Sequence, residues 1–315
     1  MELADIKKVG VVGAGVMGHG IAMNFAVWGY PTTICDISEA ALKNALQNIK
    51  KTGDLYIEEG MLTPEYMKSA LNRITTTTSM AKLANCDFIT ESIQERLQDK
   101  QNLFVELEKI CSPHTILASN TSALMMSDIG RYCKRQDKLV ITHYYSPPAI
   151  VPGVEVARSP QGSDETFNLT YNLMKKIRKI PVKVLKEKPG ALLATIQTTM
   201  GQQIEAVWAE GVASAEDIEL GLKTTLGFRG PHESHLLHAD LSGYWNWPKE
   251  TRVAMAGTRR IYDISDETLE KIKQRHAEGS PWFIPKEKLK EALEKRDREY
   301  VKRLKDLYWY TWNWE

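Results

Sequence analysis

The chain has 315 residues, 43% of them hydrophobic, enough to bury a core in one large domain or two ordinary ones, and two are expected. Its 41 basic and 40 acidic residues leave a net charge of +1, so no general field attracts nucleic acid or an anionic membrane, and an anionic ligand must be recognised locally. No stretch reaches the roughly 18 apolar residues of a membrane span, and the charged N-terminus lacks the apolar centre of a secretion signal, so a cytoplasmic protein is expected.

In chain order, VGVV, TTIC, DFITES, TILAS, KLVITH and PVKVL read as short strands. The amphipathic stretches between them, such as 39–51 and 100–110, read as helical crossovers, which predicts a parallel sheet covered on both faces. After residue 190 no strand pattern returns. Residues 191–208 read as an apolar helix, Ser214 caps another, and 286–307 form a charge-dense helix with Leu289, Leu293, Val301 and Leu304 on its apolar side. The four cysteines, Cys35, Cys86, Cys111 and Cys133, have no CxxC spacing and read as reduced core thiols.

The first strand runs directly into GAGVMG and a helix. Gly13 permits the tight turn, Gly15 lets backbone approach a pyrophosphate, and Gly18 lets the helix pack on the strand. The helix then offers its first N–H groups, around Val16 and Met17, to the anion. Asp36 ends the second strand, 18 residues beyond Gly18, where a carboxylate accepts from ribose hydroxyls and repels a 2′-phosphate. Together these predict a Rossmann-type doubly wound α/β domain over 1–187 that binds NAD rather than NADP, followed by an all-α domain over 188–315. No metal is proposed, and His19, His114, His232, His235, His238 and His276 read as structural or surface groups.

SNTS (119–122) and HYYSPPAIVPGVEV (143–156) follow strands, at the sheet edge where such folds bind ligands. With GxGxMGxGIA, Asp36, ESIQE followed by Lys100, and PVKVLKEKPG, they make the chain resemble the 3-hydroxyacyl-CoA dehydrogenase family over nearly its whole length. The resemblance implies an NAD-dependent oxidoreductase acting on a C3 hydroxyl. In it His143, with Glu155 twelve residues on, is the general base, and Ser122 bonds the substrate oxygen. It also implies that Ser92, Glu95, Lys100 and Asn120 line the ribose and nicotinamide end, and that the helical domain forms a homodimer.

Two positions depart from the family. Ser146 and Ala194 stand where substrate-binding asparagines are usual, which makes Ser146 a candidate substrate contact, with Thr195 and Gln197 as other substitutes. Arg229 in GFRGP, and the wording of VPGVEVA and EGVASAEDIELGL, resemble the free hydroxy-acid branch that includes carnitine and gulonate dehydrogenases. An arginine there implies a substrate carboxylate. A small 3-hydroxy acid is therefore the expected substrate, with a CoA thioester second. The acidic stretch 54–59, near where CoA passes in relatives, counts against the thioester, and an NAD-binding protein that has lost turnover is a third reading. The Trp-rich segments 243–248 and 308–314 are expected to be core, interface or pocket wall.

Overall fold

The computed structural model describes residues 1–231, 234–241, 248, 266–267, 270–271, 274 and 286–308. His232, His276 and five tryptophans of the two Trp-rich segments (Trp245, Trp247, Trp309, Trp312, Trp314) lie outside these. Contacts group Met1–Ala194 with the segment from Leu293 onward, and leave Thr195–Ala292 as a second unit. This division differs from a single boundary at 187/188, because the last described helix returns to the first unit.

The first unit is built on eight strands: β1 (Val9–Val12), β2 (Thr32–Cys35), β3 (Ile74–Thr77), β4 (Phe88–Glu91), β5 (Ile116–Ser119), β6 (Leu139–Tyr144), β7 (Gly153–Arg158) and β8 (Ile180–Val184). Their order is β3-β2-β1-β4-β5-β6-β7-β8. All neighbours are parallel except β6 and β7, which pair antiparallel. The strand order reverses between β1 and β4, which opens a crevice at the C-terminal ends of the strands. The expected Rossmann-type sheet is present, but β3 and β7 were not anticipated, and β7 interrupts the wholly parallel pattern.

Helices α1 (Gly18–Val27), α2 (Glu39–Glu58), α3 (Pro64–Asn72), α4 (Leu97–Ile110), α5 (Met126–Ile129) and α6 (Asp164–Lys176) accompany the sheet. α1 is nearly all apolar and nearly all buried, as a helix wedged against both sheet and neighbouring helices must be. α2 begins where Ser38 caps Ala41 N–H, and buries one side through Leu42, Ala45, Ile49 and Tyr56. One core cluster lies on each face of the sheet. Val9, Val11, Val140, Tyr144, Val154 and Val156 belong to one, and Val12, Ile89, Leu139, Ile141 and Ala157 to the other. The four cysteines are free and buried.

α7 (Leu192–Ala209), α8 (Ala215–Thr224), α9 (Leu226–Arg229) and α10 (His235–Leu241) follow, with Ser214 capping α8 as expected. α11 (Leu289–Tyr308) is the charge-dense helix. Its Val301 and Leu304 enter the first unit's core beside α2, whereas Leu289 and Leu293 are exposed. Arg298 pairs with Glu58 and Glu59, Lys51 with Glu294, and Lys50 with Asp54. The acidic stretch 54–59 is thus largely matched by cations, so it no longer argues against an anionic ligand. Among the described residues no helix is long and apolar enough to cross a membrane.

Candidate functional site

The glycine loop lies at the switch point. Gly13 has φ 99°, donates its N–H to the Cys35 carbonyl, and would drive a Cβ to within 2.5 Å of the Ser92 carbonyl oxygen. A Cβ on Gly18 would lie 1.8 Å from the Gly13 carbonyl oxygen, so α1 packs directly on the turn. These two glycines are required by the fold.

Gly15 is different: a Cβ there meets nothing within 4 Å, and no positive φ constrains it. Among the described residues the N–H groups of Gly15, Val16 and Met17 find no acceptor, and α1 has no side-chain cap. Open space in front of free donors at a helix start suits a pyrophosphate. A Gly15→Ala substitution is therefore expected to leave the melting temperature within about 2 °C and to weaken NAD binding about tenfold or more. Gly18→Ala is expected to cost about 3 kcal/mol or more of stability through overpacking against backbone. Thermal melts and NAD titration of the two variants distinguish the roles.

Asp36 is fixed by the same loop. Its Oδ2 accepts from Ala14 N–H at 2.8 Å and its Oδ1 from Ser38 N–H at 2.9 Å, so the carboxylate is oriented before any ribose arrives. Ile37 beside it is 99% exposed and Val16 74% exposed. Two apolar side chains bare to water flank the carboxylate and the loop, where they suit the flat rings and sugars of a dinucleotide. The alternation of apolar and polar residues does not reveal them, but their places next to Asp36 and Gly15 do.

The other candidates follow along successive strand ends. Ser92 N–H donates to the Val12 carbonyl, and Asn120 Nδ2 lies 3.5 Å from Ser92 Oγ. Asn120 Oδ1 accepts Tyr144 N–H at 2.8 Å, tying the end of β5 to that of β6. With strands about 4.8 Å apart, Asp36 at β2 and His143 on β6 are separated along the edge by about 19 Å, room for an extended dinucleotide. Lys100 is only 1% exposed. Its ammonium bonds Glu91 Oε1 at 2.5 Å and approaches Glu95 Oε2 at 3.2 Å, so it ties the end of β4 and the loop after it to α4. Burial pushes the Glu91 carboxyl up, against the pull of Lys100, Ser119 and Ile93 N–H. Glu95 accepts from the Thr121 hydroxyl and from the N–H groups of Ser122 and Ala123, and these bonds with Lys100 outweigh its burial and hold its carboxyl low. Lys100 and Glu95 therefore shape the SNTS loop itself. Ser122 is exposed on that loop, and among the described residues its hydroxyl has no partner.

His143 and Glu155 stand directly opposite each other in the antiparallel β6–β7 register, both buried, with Nδ1 and Oε2 2.9 Å apart. The twelve-residue spacing is thus that of a cross-strand pair. Glu155 Oε1 also accepts Leu193 N–H at 2.6 Å, in the first turn of α7. Burial opposes the charge on Glu155, but the bonds from His143 and Leu193 together outweigh it and hold the carboxyl below its ordinary range. An ionised carboxylate only accepts, so Nδ1 carries the imidazole proton and Nε2 presents a lone pair. The turn between the strands is held by buried Lys179, whose amine bonds the carbonyls of Pro148 at 2.6 Å and Val151 at 2.8 Å. Burial lowers that amine to about 7. The Tyr145 ring lies 4.6 Å from the imidazole, and burial with the neighbouring Glu155 charge raises its phenol.

Residues 8–188 match the family described as 3-hydroxyacyl-CoA dehydrogenase, NAD binding domain. The chain belongs to the 3-hydroxyacyl-CoA dehydrogenase family. It is 32% identical over 216 residues to a 3-hydroxybutyryl-CoA dehydrogenase of Clostridioides difficile, covering 69% of this chain and 76% of that one. It is also 32% identical over 235 residues to the human mitochondrial hydroxyacyl-coenzyme A dehydrogenase, covering 72% and 74%. A solved 5-formyl-3-hydroxy-2-methylpyridine 4-carboxylic acid 5-dehydrogenase covers 96% of this chain and 98% of its own, with TM-score 0.84 and 20% identity, a likeness of fold alone. A 3-hydroxyacyl-CoA dehydrogenase of this kind is an oxidoreductase, and its cofactor is NAD.

The second unit carries Arg229, at the end of α9. Its Nη1 lies 2.7 Å from Nε2 of His238 on α10, and among the described residues it has no carboxylate partner. Ser146 is exposed in the turn after β6, and Ala194 lies in α7. Among the described residues no cluster of His, Cys, Asp or Glu has the makings of a metal site.

Proposed function

We propose that the chain dehydrogenates the C3 hydroxyl of a 3-hydroxyacyl substrate, with His143 as general base. The observation carrying this is the bonded His143–Glu155 pair, whose ionised carboxylate leaves Nε2 as the proton acceptor. When bound, NAD supplies the hydride acceptor at nicotinamide C4. His143 takes the hydroxyl proton on Nε2, and Glu155 stabilises the resulting imidazolium through Nδ1–H. Ser122 donates to the substrate oxygen and Ser146 contacts the same end. Asp36 holds the adenosine ribose, the N–H groups of Gly15, Val16 and Met17 hold the pyrophosphate, and Ser92 and Asn120 border the nicotinamide ribose.

A CoA thioester is the first reading of the acyl carrier, because the relatives at 32% identity bear CoA-ester names and the stretch 54–59 is matched by cations. A free 3-hydroxy acid is the second. Arg229 favours it, as its guanidinium faces an imidazole and, among the described residues, no carboxylate, which suits it to a substrate anion. NADH formation at alkaline pH from a 3-hydroxyacyl-CoA and from short 3-hydroxy acids, each with Arg229→Ala beside the unaltered chain, tests both. Turnover of free acids that Arg229→Ala weakens about tenfold or more supports the second reading, and thioester turnover indifferent to Arg229 supports the first. NAD binding without turnover of either class would remove the enzyme reading.

The second unit also suits a homodimer, since Met200, Leu220, Phe228, Leu236 and Leu241 are exposed on its helices. Sedimentation at micromolar concentration is expected to give twice the chain mass; a monomer would contradict it.

A further inference from the structure

His19 is the second residue of α1, inside the glycine-rich segment, and its Nδ1 lies 2.8 Å from the Gly15 carbonyl oxygen. Since that oxygen only accepts, Nδ1 carries the proton. Burial lowers the imidazole's pKa, against the pull of the Gly15 carbonyl, so the ring is neutral near pH 7. A neutral ring at the positive end of a helix avoids the repulsion a cation would meet there.

The Gly15–Val16 peptide is planar and trans, so its C=O and N–H point in opposite directions. Holding the Gly15 carbonyl against His19 turns the Val16 N–H away from His19, and among the described residues that N–H has no acceptor. The same bond engages a carbonyl oxygen that would repel an anion if it rotated toward it. Gly15 is where this matters, because with no Cβ and open space within 4 Å the peptide has little else to hold it.

We infer that His19 is a positioning residue of the pyrophosphate site, acting through the Gly15 carbonyl to preset the Val16 N–H as a phosphate donor. It touches no reacting atom, and it rests on the reading of the glycine loop as the cofactor site.

The test is calorimetric binding of NAD, ADP-ribose and adenosine to the unaltered chain and to His19→Leu, His19→Ala and His19→Asn, with melting curves for each. Leu fills the imidazole's space without a donor, whereas Asn places an amide N–H where Nδ1–H stands. Expected are Kd values for NAD and ADP-ribose raised about 5- to 10-fold in His19→Leu and His19→Ala. Adenosine, which has no pyrophosphate, should bind unchanged, and His19→Asn should return to within about twofold of the unaltered chain. Unchanged NAD affinity in His19→Leu and His19→Ala, an equal loss of adenosine, an Asn variant no better than Leu, or failure of all three variants to fold would each overturn the inference. Gly15→Ala run alongside separates it from its premise. If Gly15→Ala weakens NAD and the His19 variants do not, only the inference fails; if Gly15→Ala is silent too, the loop is not the cofactor site.

Discussion

Replacing His143 by Gln is expected to lower kcat by about 10²- to 10⁴-fold while NAD affinity stays within about twofold, on whichever 3-hydroxyacyl substrate proves active. The size follows from the task. An alcohol holds its proton too tightly to lose it to water as hydride departs from the same carbon, so a positioned base carries the step. His143 is held for it from two sides: Nδ1 is committed to Glu155 at 2.9 Å, and Tyr145 lies against the ring at 4.6 Å. Gln occupies a similar volume and keeps a donor toward Glu155, but has no lone pair of imidazole basicity. The cofactor contacts proposed at Asp36 and the glycine loop lie several strands away and should not change. Single-turnover NADH formation beside NAD titration makes the measurement. A kcat within tenfold of the unaltered chain would remove His143 as the base.

Glu155 should affect both rate and stability. Glu155→Gln is expected to reduce kcat about 10²-fold, because the imidazolium formed on proton transfer loses the charge that stabilises it. Glu155→Ala strips partners from both His143 Nδ1 and Leu193 N–H, and should also cost about 2–3 kcal/mol of stability. The pH dependence has a definite sign. The folded carboxyl lies below its ordinary value of 4.5, so between the two values the unfolded chain binds more protons than the folded one. The stabilisation is therefore fully present above about pH 4.5 and is lost as pH falls through the depressed native value. Melting temperatures of the unaltered chain and Glu155→Gln should differ most from pH 5 upward and converge in acid. A difference that grows on acidification would mean that Glu155 is not held ionised by these bonds.

The glycine loop and Asp36 were legible from residue types alone. Their chemistry is local: a tight turn, a close backbone approach and a carboxylate at a strand end each demand a particular residue at a particular offset from an apolar strand. The same holds for the Ser214 cap and for the crossover helices, whose periodicity is written in consecutive residues. The family resemblance supplied His143 and Glu155 as a pair, but their spacing carried no geometry. VPGVEVA has a Pro-Gly start and lies straight after a turn, so β7 did not read as a strand, and only its antiparallel register sets the two side chains face to face. Lys100 and Glu95 were expected at the nicotinamide end. What residue types did not show is that Lys100 is buried between Glu91 and Glu95, as a buried ammonium must be paired, and that Glu95 accepts from the N–H groups of the SNTS loop after the next strand.

The C-terminal helix makes the same distinction. Val301 and Leu304 were readable as an apolar stripe, yet a stripe states only that something must cover it. That α2 does so, returning the helix to the first unit, depends on residues some 250 positions away in the chain. Sequence by itself determined the α/β class, the tight turn of the glycine loop and NAD as the cofactor, since those rest on short-range sterics and hydrogen bonding. Tertiary structure alone decided which groups are spent on holding the site together and which stay free for a ligand, because that accounting is settled by long-range partners and burial.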